Sequence, residues 1–342
     1  MKTICKLLVT LSIIMACGGA FAQNSENAQL LIKQGTQLND EGKYAEAIEK
    51  YNEALKADPE NHNAEFELAY TLYLSGKGVD GIPYLEKVIA ANTSLTAGAY
   101  DLLGTIYDKD DKKDKAIAAY NAGIKANPDY QRLHYNLGLV YFRHKQYAEA
   151  ESCAIDAIKL DPKHASSQRM YALVCFHQNK RVPALLGFCS FLLLEPNSSR
   201  SAEAFGNIQH ILQGGVIKGV GGPNTIILSS KGDQAMNILN MAISLSVIAA
   251  DRQKNLSPED RLEMELRSIF KIAGEQSEQR TDKDFFWKYY ADYFYKVAQS
   301  DNVPAFTRLI NSSTADNANW IKDHQQQMAD LDNWVKTTVR GF

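Results

Sequence analysis

Seven histidines, five cysteines and a scatter of carboxylates are the residues of this 342-residue chain with the chemistry for metal binding or catalysis. Their spacing assembles no familiar site. His62, His134, His144, His164, His177, His210 and His324 form no His-Glu-x-x-His pair, and no Cys-x-x-Cys is present to share a zinc ion with them. No Gly-x-Ser-x-Gly elbow offers a nucleophile. Glu263 and Glu265 are two residues apart, which points them to different sides of a helix. Each then reads as a solvated carboxylate rather than half of an acid–base pair. The glycines between Gly214 and Gly222 resemble a phosphate loop only in composition, since no Gly-Lys-Ser/Thr follows them. The expectation is a chain with no catalytic residue, no metal site and no cofactor.

The cysteines bear on the compartment. Cys5 and Cys17 fall in an N-terminal segment built like an export signal. Lys2 and Lys6 precede a ten-residue apolar run, Leu7–Ala16, too short to span a bilayer, and Ala20-Phe21-Ala22 supplies a small-residue cleavage site. Residues 1–22 are therefore expected to be a signal peptide, with Gln23 the first residue of an exported, periplasmic protein. The alternative is an outer-membrane lipoprotein, because Ile14-Met15-Ala16-Cys17 is a loose lipidation box; only through Cys17 would the chain meet a membrane. Cys153, Cys175 and Cys189 remain, an odd number, and read as small buried helix residues. A Cys153–Cys175 or Cys175–Cys189 disulfide is the alternative in an oxidising compartment.

Acids and bases are interleaved along the chain at a net charge of -3, with no basic stripe to track a phosphate backbone, so no nucleic-acid partner is expected. With 45% apolar residues the chain can bury a sizeable core, and with only 9 prolines it can hold long helices.

The elements themselves are set by a repeat. Pro128, Pro162 and Pro196 stand 34 residues apart, each behind an Asn, Asp or Glu that ends an apolar-periodic run, and Asp58-Pro59 stands two periods and one residue earlier. Small residues recur where two antiparallel helices must approach: Gly35, Ala69, Gly104, Gly138 and Ala172 in first helices, then Ala47, Gly81, Ala116, Ala150 and Ala184 in second helices. Bulky residues recur between them: Leu38, Leu72, Tyr107, Tyr141, Tyr51, Leu85, Tyr120 and Phe188.

These residues, and the runs GKYAEAIEKYNEALKADPEN (Gly42–Asn61) and LGLVYFRHKQYAEA (Leu137–Ala150), resemble the tetratricopeptide-repeat family, here an exported bacterial envelope member. The resemblance covers about half the chain. It implies an all-α, right-handed helix-pair solenoid with repeats at 28–61, 62–95, 97–130, 131–164 and 165–198. The second is degenerate, with Thr93 in the proline position and Pro83 inside its second helix. A sixth first helix starts at Ser201, with Gly206 in the small position. The resemblance further implies that first helices line a concave, ligand-binding face. The inward positions are Phe66, Tyr70 and Tyr73, then Arg132, Tyr135, Asn136, Phe142 and Arg143, then Arg169, Met170, Phe176 and His177. Aromatics with arginines are what an interface hot spot uses. The chaperone-binding carboxylate clamp needs Lys and Asn where this chain has Ile32 and Thr36, so a chaperone C-terminus is not the expected ligand.

The domain reading is a signal peptide at 1–22, a solenoid at 28–198 and a capping helix at 199–213. A glycine-rich loop or short β-hairpin at 214–232 leads to a smaller helical C-terminal domain at 233–342. Helices are expected at Asp233–Lys254, Pro258–Glu275, Asp282–Ser300, Val303–Asn311 and Asn317–Val339. In the third, Phe286, Tyr290, Tyr293 and Val297 share a face at helical spacing, with Trp287 and Phe294 flanking it. The expected function is a non-enzymatic adaptor or scaffold of the bacterial cell envelope, with a protein or peptide as partner. The alternatives are a carbohydrate- or cell-wall-binding protein using Trp287, Trp320 or Trp334, and a helical hydrolase in the C-terminal domain.

Overall fold

The computed structural model describes residues 25–214, 216–217, 225–226, 234–253 and 255–342. The export segment and most of the glycine-rich stretch lie outside the described residues. The described chain is helical apart from two two-residue strands. Five helix pairs come first: α1 (25–40) with α2 (Tyr44–Ala57), α3 (His62–Leu74) with α4 (Gly78–Ala90), α5 (Thr96–Lys109) with α6 (Lys113–Ala126), α7 (Gln131–Arg143) with α8 (Tyr147–Leu160), and α9 (Ala165–His177) with α10 (Arg181–Leu194). A sixth first helix, α11 (Ser199–Gln213), follows.

The repeat is visible in the backbone as well as in the sequence. The residue before each repeat proline, Asp58, Asn127, Asp161 and Glu195, leaves the helix at φ near −140° and ψ between 75° and 92°. The proline ring forbids that residue the helical region. Where Thr93 replaces the proline, Ala91 stays helical and the left-handed Asn92 (φ 50°) ends α4 instead. Within each pair one left-handed residue makes the turn: Gly42, Gly76, Asp111, Lys145 and Asn179. The amide after it bonds back to a carbonyl five residues earlier, as Lys43 to Leu38 and Lys180 to Cys175, which closes the first helix with a Schellman motif.

The chain forms two compact units, the first ending at Val140 and the second starting at Tyr141. In the first unit, apolar residues of successive helices interlock: Leu68 and Leu72 with Tyr51, then Ala69, Leu85 and Val88 with Ala99, Leu102 and Ile106. A Cβ on Gly35 or Gly104 would lie 2.6 Å from the ring of Tyr51 or Tyr120, so the tyrosine of each second helix occupies the space the glycine leaves. Burying each ring contributes on the order of 2–3 kcal/mol. The hydroxyls bond to Thr36 and Thr105 on the first helix (3.3 and 3.0 Å).

The second unit is organised around α10, in which every residue from Val182 to Leu192 is buried. Such a helix, apolar on all sides, needs neighbours all round. They are α9, α11, α12 (Gln234–Arg252), α15 (Val303–Ile310) and a π-helical turn, Phe286–Ala291, that runs into α14 (Asp292–Gln299). The helices after α11 thus close around α10 instead of adding further repeat pairs to a stack. α13 (Pro258–Glu278) starts on the Ser257 cap and the first-turn proline and packs along α12 and α14. Gly206 meets nothing within 4 Å, because α11 has no second helix to pack against that position.

Three expectations for this unit need correcting. The π-turn spends extra residues per turn, so Phe286, Trp287, Tyr289, Tyr290, Tyr293 and Phe294 are all buried instead of forming one stripe with flanks. The stretch 317–339 is two helices, α16 (Ala315–Asp323) and α17 (Gln325–Thr337), broken at His324. Glu265 is not solvated: it is 5% exposed and ion-paired with Arg261 at 3.0 Å, while Glu263 pairs with Arg267. In the glycine-rich region, Val216–Ile217 pairs antiparallel with Thr225–Ile226. Cys153, Cys175 and Cys189 are buried free thiols, with no disulfide among them.

Candidate functional site

The first-helix residues of the first unit divide into a buried footing and an exposed set. On α3, Leu68, Ala69 and Leu72 face the core, which turns Tyr70 and Leu74, one helical turn apart, toward solvent. Phe66 is half-buried and lies 3.4 Å from where a Cβ on Gly98 would stand, so that glycine of α5 makes room for the ring. Tyr73 forms one wall of a small cleft with Gly76, Gly78, Val79 and Ile106, and Lys109 sits over its ring at 4.8 Å.

On α7, Arg132 and Asn136 converge on a residue that sequence reasoning missed, Asp101 of α5. Its carboxylate is 4% exposed, accepts a 2.6 Å hydrogen bond from the Asn136 amide and pairs with Arg132 at 3.1 Å. Burial pushes its pKa up, and the Asn136 hydrogen bond and the Arg132 charge oppose that. The Arg132 side chain is 67% exposed, so Asp101 anchors one edge of a guanidinium whose other edge faces solvent. Asp101 occupies the register held by Phe66 one repeat before and Tyr135 one repeat after. An acid at that register was the available signal.

In the second unit the expected binding residues are mostly committed to one another. Met170 is a correction: it is 4% exposed and belongs to the core, because the elements packed on α9 cover that face. Arg169 is paired with Glu203 of α11 at 2.7 Å. Phe142, Tyr147 and His177 form a ring cluster, with His177 stacked on Tyr147 at 5.2 Å and edge-on to Phe142 at 5.4 Å. Phe176 packs edge-on against Phe188 and His210. Arg143 and His177 are exposed at the end of their helices.

The chemistry-bearing residues elsewhere are structural. No cluster of three or more His, Cys, Asp or Glu with metal-binding geometry occurs among the described residues. Burial pushes the Cys153 thiol up to about 12 and raises Cys175 and Cys189 further, the opposite of an activated nucleophile. Trp287 is 1% exposed and offers no face for a sugar. Trp320 is stacked on His324, and Trp334 lies against Tyr293.

Comparison with known proteins agrees with this geometry. A family model described as TPR repeat matches residues 35–76 and 104–145, and one described as Tetratricopeptide repeat matches 131–164. Human tetratricopeptide repeat protein 6 is 28% identical over 133 residues, 39% of this chain and 25% of that protein. The Hsp70-Hsp90 organizing protein of Triticum aestivum is 30% identical over 101 residues, 30% of this chain and 17% of that protein. The chain thus spans a quarter or less of the length of either relative. Among solved structures, the MamA protein is 28% identical with a TM-score of 0.44, covering 52% of this chain and 95% of that one. Proline-terminated helix pairs, small residues at the pair contacts and two family models identify tetratricopeptide repeats at residues 35–76 and 104–164 of this all-α chain.

Proposed function

We propose that this chain is a non-enzymatic adaptor that binds a protein or peptide on the first-helix face of its N-terminal repeats. The observation that carries the reading is the split within α3 and α7. Their core faces are filled, while Tyr70 (39% exposed) and the Arg132 side chain (67% exposed, and held by Asp101) are left accessible. A tyrosine and an arginine fixed on rigid helices lose little entropy when a ligand arrives, which is the composition of an interface hot spot. Thr36, committed to Tyr51 and to the Ile32 carbonyl, offers no clamp for a terminal carboxylate. The Hsp70-Hsp90 organizing protein, by its name, brings other proteins together, which supports the general class of activity and not a particular partner.

The N-terminal segment supports an exported protein acting in the bacterial envelope, with a mature N-terminus at Gln23. Mass spectrometry of the native protein checks this; a diacylated Cys17 peptide would replace the periplasmic assignment with a lipid-anchored one. For the binding function, selection of a displayed random-peptide library on the immobilised chain is the direct test. Enrichment of peptides that bind the full chain supports an adaptor, and no enrichment over an unrelated helical protein counts against it.

A further inference from the structure

The segment after α17, residues 338–342, lies outside any helix, and its two apolar side chains are largely in solvent: Val339 is 79% exposed and Phe342 51%. What holds it is Arg340. The guanidinium carbon sits 3.8 Å from the ring centre of Tyr293, 4.8 Å from that of Tyr289 and 5.8 Å from that of Phe294. Nη1 donates a 2.7 Å hydrogen bond to Oγ of Ser190, itself buried on α10. No carboxylate pairs with Arg340 among the described ion pairs; the rings and the Ser190 hydroxyl receive the charge.

The walls of the socket are also braced by residues outside the segment. Tyr289 is fixed by Gln168, whose amide donates to the phenol oxygen at 2.7 Å, and by stacking on Phe285. Neighbouring Tyr290 donates to the other end of the Gln168 amide, also at 2.7 Å. Tyr293 leans on Phe294 and Trp334. Three aromatic walls and the Ser190 hydroxyl form a guanidinium receptor: the rings supply cation–π attraction, and the hydroxyl accepts an in-plane N–H bond that a lysine ammonium would match poorly. The outer rim gives the class of occupant further definition. Phe342, two residues on, stacks on Tyr289 at 5.3 Å.

We propose that this socket is a second peptide-binding site, specific for an extended segment with an arginine and, two residues on, an aromatic, and that residues 338–342 occupy it in cis as a displaceable pseudo-ligand. The site lies within the second unit and does not depend on the first-helix face.

The test uses the full-length chain, wild type and Arg340→Ala, and the synthetic peptide Thr-Val-Arg-Gly-Phe carrying a fluorophore. The variant should bind the peptide about tenfold or more tightly than the wild type does, since the desolvated cation–π contact of the cis occupant no longer competes. Replacing the peptide's arginine with lysine should abolish most of that gain. In the wild type, excess peptide should speed amide hydrogen exchange across 338–342. Equal peptide affinity for the two proteins would overturn the proposal. So would a large fall in melting temperature for Arg340→Ala, because the segment would then be part of the core and not a removable occupant.

Discussion

The first unit carries its chemistry on a footing, whereas the second consumes its chemistry in packing. Both are made of the same helix pairs, yet Tyr70 and Arg132 reach solvent in one, while in the other Met170 is core, Arg169 is spent on Glu203 and Phe176 on Phe188 and His210. The cause lies in α10. Second helices such as α2 and α6 keep a polar side, so a repeat array can leave its other face open. α10 is apolar on every side, and the chain must supply α11, α12, α15 and the π-turn to cover it. A repeat protein gains a binding face by leaving helices half-covered and loses it where one helix has to be enclosed.

The strongest way to break that comparison is to hollow out α10. Phe188 is fully buried against α9, and Phe188→Ala should cost about 3–5 kcal/mol by leaving a cavity. Chemical denaturation monitors this, and the thiols report where it acts. Cys153, Cys175 and Cys189 all belong to the second unit, and their raised pKa values keep them as unreactive thiols at neutral pH. Native protein should leave all three unlabelled by a thiol reagent, while Phe188→Ala should label them with the unfolding transition. Rapid labelling of native wild-type Cys189 would contradict the enclosed α10.

Two glycines sharpen the comparison at smaller cost. A Cβ on Gly274 would lie 2.0 Å from Cγ of Tyr295, so Gly274→Ala should destabilise by about 1–3 kcal/mol. Gly206, with nothing near it in mid-helix, should accept alanine with a gain of up to about 1 kcal/mol. Thermal melting of both variants separates packing glycines from incidental ones.

Asp101 gives a subtler effect. Its folded pKa is raised from the ordinary value of 3.8, so folding favours the protonated carboxyl. That preference is fully present below the unfolded pKa and is lost as pH rises through the folded one. Stability of Asp101→Asn relative to wild type should therefore improve from acid toward neutral pH. A constant difference across that range would mean that the Arg132 and Asn136 contacts cancel the burial cost.

Much of this architecture was legible in the chain. The proline spacing and the small residues at Gly35, Gly104 and Gly81 located five pairs, because steric rules act locally and leave a periodic record. The left-handed turns at Asp111, Lys145 and Asn179 were hidden, since only Gly42 and Gly76 advertise that conformation. The aromatic run at 285–295 was read on an α-helical period, and a π-turn cannot be seen in a pattern that assumes 3.6 residues per turn. Asp101 was overlooked for a related reason: its importance comes from Arg132 and Asn136, a repeat away in sequence. Met170 was misplaced by carrying the inward register into a repeat whose neighbours no longer leave that face open.

The most direct measurement is made on the double variant Tyr70→Ala, Arg132→Ala, recording its melting temperature and its affinity for a library-selected peptide ligand of the full chain. Because both side chains are exposed on helices whose core faces are filled, the expected result is a loss of affinity of about tenfold or more, from about 1–3 kcal/mol per hot-spot residue, with the melting temperature nearly unchanged. A clear drop in melting temperature with affinity intact would show that these residues serve the fold, and would contradict the binding face.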